Sequence, residues 1–387
     1  MLIHSILDND LYKFTTQYAV RKLYPQVDVQ YSFIDRSDRH YPDDFHLRIK
    51  KEVEQMTNLA LTGEEEQYIR EHCPWFDNNY IRFLKEYRFN PSEVKVTNPD
   101  NQLKIDIEGN WMRTILWEVP LLAIVSEAYY QVSGQKPTNT IKNAAFKGRR
   151  FREMEAKYTD FGTRRRFSFD VQDQVVKTLK NESGDFLTGT SNVFLARKNN
   201  IKPIGTHPHE WFMFHGVQDG YAKANKVALQ KWLDVFKGEL AVALTDTYTT
   251  DVFLQQFDKE LAEQFYAVRW DSGDPLVFTD KMVAFYKKQG IDPASKTIIY
   301  SDALNVERVA KIKEYLRQYP IKDGYGIGTY LTNDVGAQPL DIVIKLTAVR
   351  LPDEKIFRPA CKLSDVPGKN TGDPAEVARC QEILGVK

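Results

Sequence analysis

From Asp160 to Thr329 the chain repeats one device: a short apolar run ends in a small or polar turn, and most runs are followed by an amphipathic stretch. The turns are Asp160-Phe161-Gly162-Thr163-Arg164, Leu187-Thr188-Gly189-Thr190-Ser191, Ile204-Gly205-Thr206-His207-Pro208-His209, Leu244-Thr245-Asp246-Thr247, Arg269-Trp270-Asp271-Ser272-Gly273-Asp274, Ile299-Tyr300-Ser301-Asp302 and Gly326-Ile327-Gly328-Thr329. Each interval suits a strand plus a helix. The rhythm predicts repeated βα units forming an irregular (β/α) barrel-like domain. In parallel barrels the working residues lie at the carboxyl ends of the strands, where the loops converge on one pocket, and the polar residues here fall at those ends.

The region before this repeat reads differently. Asp8-Asn9-Asp10 can cap a helix with apolar positions at Leu11, Phe14 and Tyr18, ending before Pro25. Val27, Val29, Tyr31 and Phe33 alternate with polar partners as a half-buried strand does, residues 50–90 are mostly helical by pattern, and Leu103, Ile105 and Ile107 alternate again. Residues 1–118 are therefore expected to form an N-terminal α+β domain. Pro120 suits the first turn of a helix through Val125, and a second helix is expected over 139–158. The catalytic α/β domain is placed at 119–346, with an apolar strand at Ile342–Leu346, and a Pro/Gly-rich segment, 347–387, is expected to pack back on the N-terminal domain.

Charge excludes several functions. The 387 residues carry 53 Lys+Arg against 53 Asp+Glu, without the basic surplus or stripe of a protein that binds nucleic acid through its phosphates, and no nucleic-acid partner is expected. The longest apolar stretch, Val119 to Val125, is far short of the roughly 20 residues that cross a bilayer, so no membrane association is expected. Met1 to Asp8 show neither a basic leader nor a small-residue cleavage site. Cys73, Cys361 and Cys380 are odd in number and widely spaced, which argues against a disulfide framework and for a reducing cytoplasm.

His207, His209 and His215 fall within nine positions. The His-x-His pair permits a metal-dependent barrel hydrolase, although no third ligand has recognisable spacing. His209 can equally be a helix cap, or a neutral nucleophile at a helix start, since an imidazole keeps a free lone pair at neutral pH. Asp246, Asp271, Asp274 and Asp302 at strand ends can meet Mg²⁺ or sugar hydroxyls, or serve as N-caps. Arg164, Arg165 and Arg166 follow a Gly-Thr turn and suit a carboxylate or phosphate. Gly326-Ile327-Gly328-Thr329 is no dinucleotide fingerprint, but it can offer backbone N–H groups to a phosphate where barrels often bind one. The inventory suits an anionic sugar phosphate. A regulator that binds such a ligand without turnover is the non-enzymatic alternative.

Five motifs in order, Asp8-Asn9-Asp10-Leu11-Tyr12-Lys13-Phe14-Thr15, Phe161-Gly162-Thr163-Arg164-Arg165, Gly205-Thr206 with His209-Glu210-Trp211, Asp271-Ser272-Gly273-Asp274-Pro275 and Gly326-Ile327-Gly328-Thr329, resemble the bacterial nicotinate phosphoribosyltransferase family. Ile342–Leu346 and Lys362-Leu363-Ser364 are similar to its carboxyl end. The resemblance implies an enzyme of NAD salvage that joins nicotinate to 5-phosphoribosyl-1-pyrophosphate with ATP hydrolysis and Mg²⁺, giving nicotinate mononucleotide and diphosphate. It implies that His209 is transiently phosphorylated. It further implies that Tyr12 and Phe161 sandwich the pyridine ring, that Arg164 and Arg269 meet the base carboxylate and phosphates, and that Asp271 and Asp302, with Asp246 on the same rim, address ribose or Mg²⁺-diphosphate. Gly326, Gly328 and Thr329 would hold the 5-phosphate. Ser191 stands where nicotinamide-using relatives carry an aspartate, and an uncharged residue there favours the carboxylate over the amide. Pro208 departs from the small residue usual before the histidine. Relatives include homodimers and monomers, so a homodimer is compatible with the resemblance and the oligomeric state stays open.

Overall fold

The computed structural model describes residues 1–37, 39–366 and 369–386. Two sheets carry the architecture. The first holds β1 (Asp28–Asp35), β2 (Val94–Thr97), β3 (Lys104–Asn110), and, from the far end of the chain, β10 (Ile342–Arg350) and β11 (Arg358–Pro359), in the order β11-β10-β1-β3-β2. All its pairings are antiparallel. β1 alternates as its sequence does: Val29, Tyr31 and Phe33 are buried between half-buried polar residues. Its apolar face meets β10 in the register Tyr31↔Leu346 and Phe33↔Ile344. Residues 342–346, which the pattern groups with the repeat before them, are thus the first half of a strand that pairs with β1.

The second sheet is parallel: β4 (Tyr158–Asp160), β5 (Leu187–Thr190), β6 (Val242–Leu244), β7 (Ala267–Trp270), β8 (Thr297–Tyr300) and β9 (Lys322–Ile327), in the order β5-β4-β9-β8-β7-β6. The α/β expectation holds, but the sheet is not closed, because β5 and β6 are its two edges and do not pair. Six of the seven turns do end strands. The seventh, Ile204 to His209, follows a single parallel bridge, Thr190↔Pro203. Pro203 and Pro208 have no N–H to donate, so a ladder cannot continue through them. The segment still spans the open edges. The Ile204 N–H donates to Thr190 O at 2.9 Å on the β5 side, and the Leu244 N–H donates to His207 Nε2 at 3.1 Å on the β6 side.

Five helices position the site: α1 (Leu11–Leu23), α2 (Glu118–Val132), α3 (Phe169–Ser183), α4 (His209–Asp219) and α5 (Pro275–Gln289). α2 is buried nearly all round from Glu118 to Ala128, as its apolar run predicts. The helix expected over 139–158 stops at Glu153, and Tyr158–Asp160 is β4 instead. No helix among the described residues is long and apolar enough to cross a membrane.

Candidate active site

The carboxyl ends of the parallel strands converge, as the repeat requires. Residues at or just beyond the ends of β4, β5, β7, β8 and β9, with Lys345 of β10 and Lys362 of the following segment, surround two adjoining cavities of about 560 and 410 Å³, to which β6 contributes Val242 from its amino end. The larger, outer cavity is lined by His209, Asp271, Asp302, Gly328, Thr329, Arg165, Lys345 and Lys362. The inner one is lined by Asp10, Ser191, Gly205 and residues at the amino ends of the strands, such as Lys157 and Asp323. Tyr12, Phe161, Arg164 and Arg269 line both, so they form the neck between the two.

Tyr12 reaches the neck because α1 is tied to the end of β5. The Leu11 N–H donates to Ser191 O at 2.7 Å and the Thr15 hydroxyl to Thr206 O at 2.6 Å. Gly205 permits the approach: a Cβ there would lie 2.7 Å from the Tyr12 nitrogen. Asp10 stands at the N-cap of α1 but its side chain caps nothing; Oδ1 accepts from the Ser191 hydroxyl at 2.7 Å instead. Phe161 follows β4, and its ring lies on Gly326 of β9, where a Cβ would come within 2.2 Å of ring atom Cε2. Gly326 therefore seats the aromatic ring and borders neither cavity, whereas Gly328 and Thr329 line the outer one.

His209 opens α4. Its Nε2 lies 2.8 Å from Asp246 Oδ1 and 3.6 Å from Asp271 Oδ2. Asp246, fully buried, also accepts from the Ser272 hydroxyl at 2.8 Å and from Lys362 Nζ at 3.0 Å. Burial alone would raise the Asp246 carboxyl, but Lys362 and His209 together hold it well below the usual carboxylate range. Burial and then Lys362 bring His209 down to about 4, outweighing Asp246. The imidazole is therefore neutral at pH 7. A carboxylate can only accept, so Nε2 bears the proton and Nδ1 keeps its lone pair.

Asp271 is bound by Arg269 Nη2 at 3.0 Å and lies 2.6 Å from the Ser301 hydroxyl. Asp302 has no ion pair or side-chain hydrogen bond among the described residues; burial and then the nearby Asp271 raise its carboxyl. It is the acid on this rim left free for an incoming group. Asp274 is not on the rim: it caps α5, accepting from the Leu276 and Val277 N–H groups. The three successive arginines also diverge. Arg164 and Arg165 line the outer cavity, while Arg166 is fully buried with Nη1 and Nη2 on Asp8 at 2.7 and 2.9 Å.

The metal reading of the His-x-His pair fails on geometry. His207 points into the core, packs on Phe212 and Trp232, and uses Nε2 to accept the Leu244 N–H. His215 is buried inside α4 with Nδ1 at 2.7 Å from Asp219. Ligand atoms of His209, Asp246 and Asp271 lie within 4.8 Å of one another, but Lys362 and Arg269 already hold the two carboxylates. Glu118, which lines the outer cavity, lies outside every motif read from the sequence. Lys13, Glu118 and Glu210 form a buried ion cluster behind Tyr12 and His209, with Glu210 also within reach of the Tyr31 hydroxyl and Trp111 N–H. Lys345 is brought down to about 8 by burial and the neighbouring Lys362, against the opposing pull of Glu118.

A cationic outer chamber suits phosphates, and an aromatic neck leading to a smaller chamber suits a flat base. Together they define a phosphoribosyl-transferring class of enzyme. Comparison with known proteins narrows the class. The model of the nicotinate phosphoribosyltransferase (NAPRTase) family matches residues 156–387, and that of its N-terminal domain matches residues 7–126. A nicotinate phosphoribosyltransferase of Desulforapulum autotrophicum is 48% identical, with 99% of each chain covered. That of Chromohalobacter salexigens is 45% identical over 100% of this chain and 99% of its own. The crystal structure of nicotinate phosphoribosyltransferase from Porphyromonas gingivalis superposes with a TM-score of 0.97 at 43% identity, covering 99% of this chain and 100% of that one. The chain belongs to the nicotinate phosphoribosyltransferase family.

Proposed function

We propose that the chain transfers the phosphoribosyl group of 5-phosphoribosyl-1-pyrophosphate to nicotinate, and that ATP phosphorylates His209 during the cycle. The observation that carries this reading is the His209–Asp246 contact at the edge of the cationic chamber, which leaves Nδ1 as a neutral nucleophile. The base lies in the neck between Tyr12 and Phe161, with Arg164 and Arg269 near its carboxylate. The ribose and phosphates occupy the outer chamber, where Gly328 and Thr329 meet the 5-phosphate, and Arg165, Lys345 and Lys362 meet the diphosphate. The pyridine nitrogen attacks the anomeric carbon, the bond from that carbon to the diphosphate oxygen breaks, and its electron pair leaves with diphosphate. No general base is needed, because the attacking nitrogen is unprotonated; holding the reactants in line and stabilising the leaving charge supply the rate.

In the ATP step, His209 Nδ1 bonds to the γ-phosphorus while the bond to ADP breaks. The Nε2 proton stays with Asp246 as partner, and the phosphoryl group sits at the start of α4, where backbone N–H groups favour an anion. Mg²⁺ would supply neutralisation of diphosphate charge when bound. The unpaired Asp302 carboxylate suits a hard cation or a ribose hydroxyl, and Asp271, held by Arg269, suits the second of these roles. We further read residues 1–118 as an N-terminal domain, 119–346 as an irregular barrel whose gap is filled by residues 202–207, and 347–387 as a segment returning to the first domain. The pairing of β10 with β1 in one sheet makes that boundary continuous. Three free, buried cysteines suit a cytoplasmic setting.

The test is turnover of phosphoribosyl pyrophosphate with Mg²⁺, ATP and either nicotinate or nicotinamide. Faster mononucleotide formation from nicotinate is expected; faster formation from nicotinamide overturns the substrate, and no formation from either overturns the reading.

A further inference from the structure

Ser191 alone does not make the inner cavity hospitable to an anion. Its hydroxyl is committed as a donor to Asp10 Oδ1 at 2.7 Å, so Ser191 offers the cavity only lone pairs. Asp10 itself lines the cavity, is 2% exposed, and brings a carboxylate to the wall beside which the carboxylate of nicotinate is to sit. In this arrangement the pair would accept from an amide N–H₂ and repel a carboxylate. The preference therefore needs something more than the missing aspartate at position 191.

We propose that the Asp10–Ser191 hydrogen bond reverses to read the exocyclic group of the base: Asp10 binds a proton from solvent when nicotinate enters, donates it toward Ser191 Oγ, and frees the Ser191 hydroxyl to donate to the base carboxylate. This rests on the placement of the base proposed above. One proton is taken up per nicotinate bound: a solvent or buffer acid gives up its proton, the Asp10 carboxyl O–H bond is the only bond made in the site, and it breaks again when the proton returns to solvent on release. With nicotinamide the observed direction is kept, and no proton is needed.

The surroundings of Asp10 favour such a change. Burial is the largest influence and raises its carboxyl to about 6, against Arg164 and hydrogen bonds from Ser191 and Thr163, while Asp160 at the end of β4 adds to the rise. The other charged neighbours are balanced: Arg166 is paired with Asp8, and Tyr12 is held protonated by burial. A further anion in the cavity raises Asp10 again, as a like charge does for any acid. Uptake then falls in the neutral range.

Two measurements test this. In calorimetric titrations of the wild-type enzyme with nicotinate at pH 7.5, in buffers of differing ionisation heat, uptake of between half and one proton per site is expected; binding with no proton uptake overturns the proposal but leaves the base site intact. Failure of nicotinate to bind at all would instead refute the base placement, and the proposal with it. Second, the ratio of kcat/KM for nicotinate to that for nicotinamide is expected to fall about tenfold from pH 6.5 to 8.5 in the wild type, because factors common to both bases cancel. Asp10→Asn keeps an N-cap residue of the same shape and supplies a fixed donor, so its ratio is expected to lose that slope. An Asp10→Asn ratio that still falls with pH overturns the proposal, as does a flat ratio in the wild type.

Discussion

Two buried charge clusters lie within one chain and differ in what they leave unused. In the first, Arg166 grips Asp8 with both terminal nitrogens, Asn192 Nδ2 adds a third bond at 2.8 Å, and neither charged residue lines a cavity. In the second, Asp246 is bound by Lys362, Ser272 and His209, but His209 Nδ1 and the nearby Asp302 remain free at the wall of the outer chamber. Both clusters are costly to desolvate and both are satisfied at their centre. What separates a strut from a working site here is an unspent lone pair facing a cavity. Removing a partner should therefore damage folding in the first cluster and chemistry in the second.

The largest effect is expected at His209. His209→Ala should abolish acid-labile phosphate incorporation from ATP and the ATP stimulation of turnover, while slow transfer persists and the urea midpoint hardly moves. Labelling that survives this change would place the phosphoryl group elsewhere. Next is Arg166→Met, which strands Asp8 in the core. Breaking a buried pair costs about 3–5 kcal/mol, or more than 100-fold in the folding equilibrium. Urea unfolding should show that loss, whereas kcat per folded molecule should stay near wild type; a low kcat with normal stability would erase the contrast between the clusters.

How the two clusters appear in the sequence explains their different legibility. The repeat of turns exposes Asp246, Asp271 and Asp302 because strand ends are marked locally by small and polar residues. The same signal misled at Asp274, where a helix needed a cap, and at Ile204–His209, where prolines prevent a strand. Arg164, Arg165 and Arg166 look alike in a row, yet only the fold decides that the third turns inward. The contacts that tune the site join distant positions: Ser191 with Asp10 across 181 residues, and Lys362 with Asp246 across 116. No local period records such pairs. Glu118, at the head of an apolar run, gave no sign that it would share Lys13 with Glu210. The role proposed for His209 rests on the family motif, because composition and spacing left cap, ligand and nucleophile as open alternatives.

A smaller effect is expected beneath the aromatic neck. Gly326→Ala puts a methyl group where the Phe161 ring lies, and overpacking of this kind costs about 1–3 kcal/mol. If the ring yields, the KM for nicotinate should rise about tenfold with little change in the KM for phosphoribosyl pyrophosphate. An equal rise in both would mean that Gly326 serves the phosphate instead of the ring.

The finest discrimination concerns protonation within the second cluster. Burial and the Lys362 charge lower His209 to about 4, below its ordinary 6.5, so the unfolded chain takes up a proton that the folded chain refuses. Stability from this group is present above about pH 6.5 and is lost progressively as pH falls toward 4. Imidazole resonances of His209 should accordingly report the neutral ring, with the proton on Nε2, down to about pH 5. Lys362→Met removes the charge that lowers the ring and leaves Asp246, which raises it. The ring should then titrate at higher pH, and ATP labelling should weaken between pH 7 and 6, where the wild-type nucleophile is still fully unprotonated. If the ring titrates near 6.5 in both proteins, Lys362 does not govern the nucleophile, and the second cluster is as static as the first.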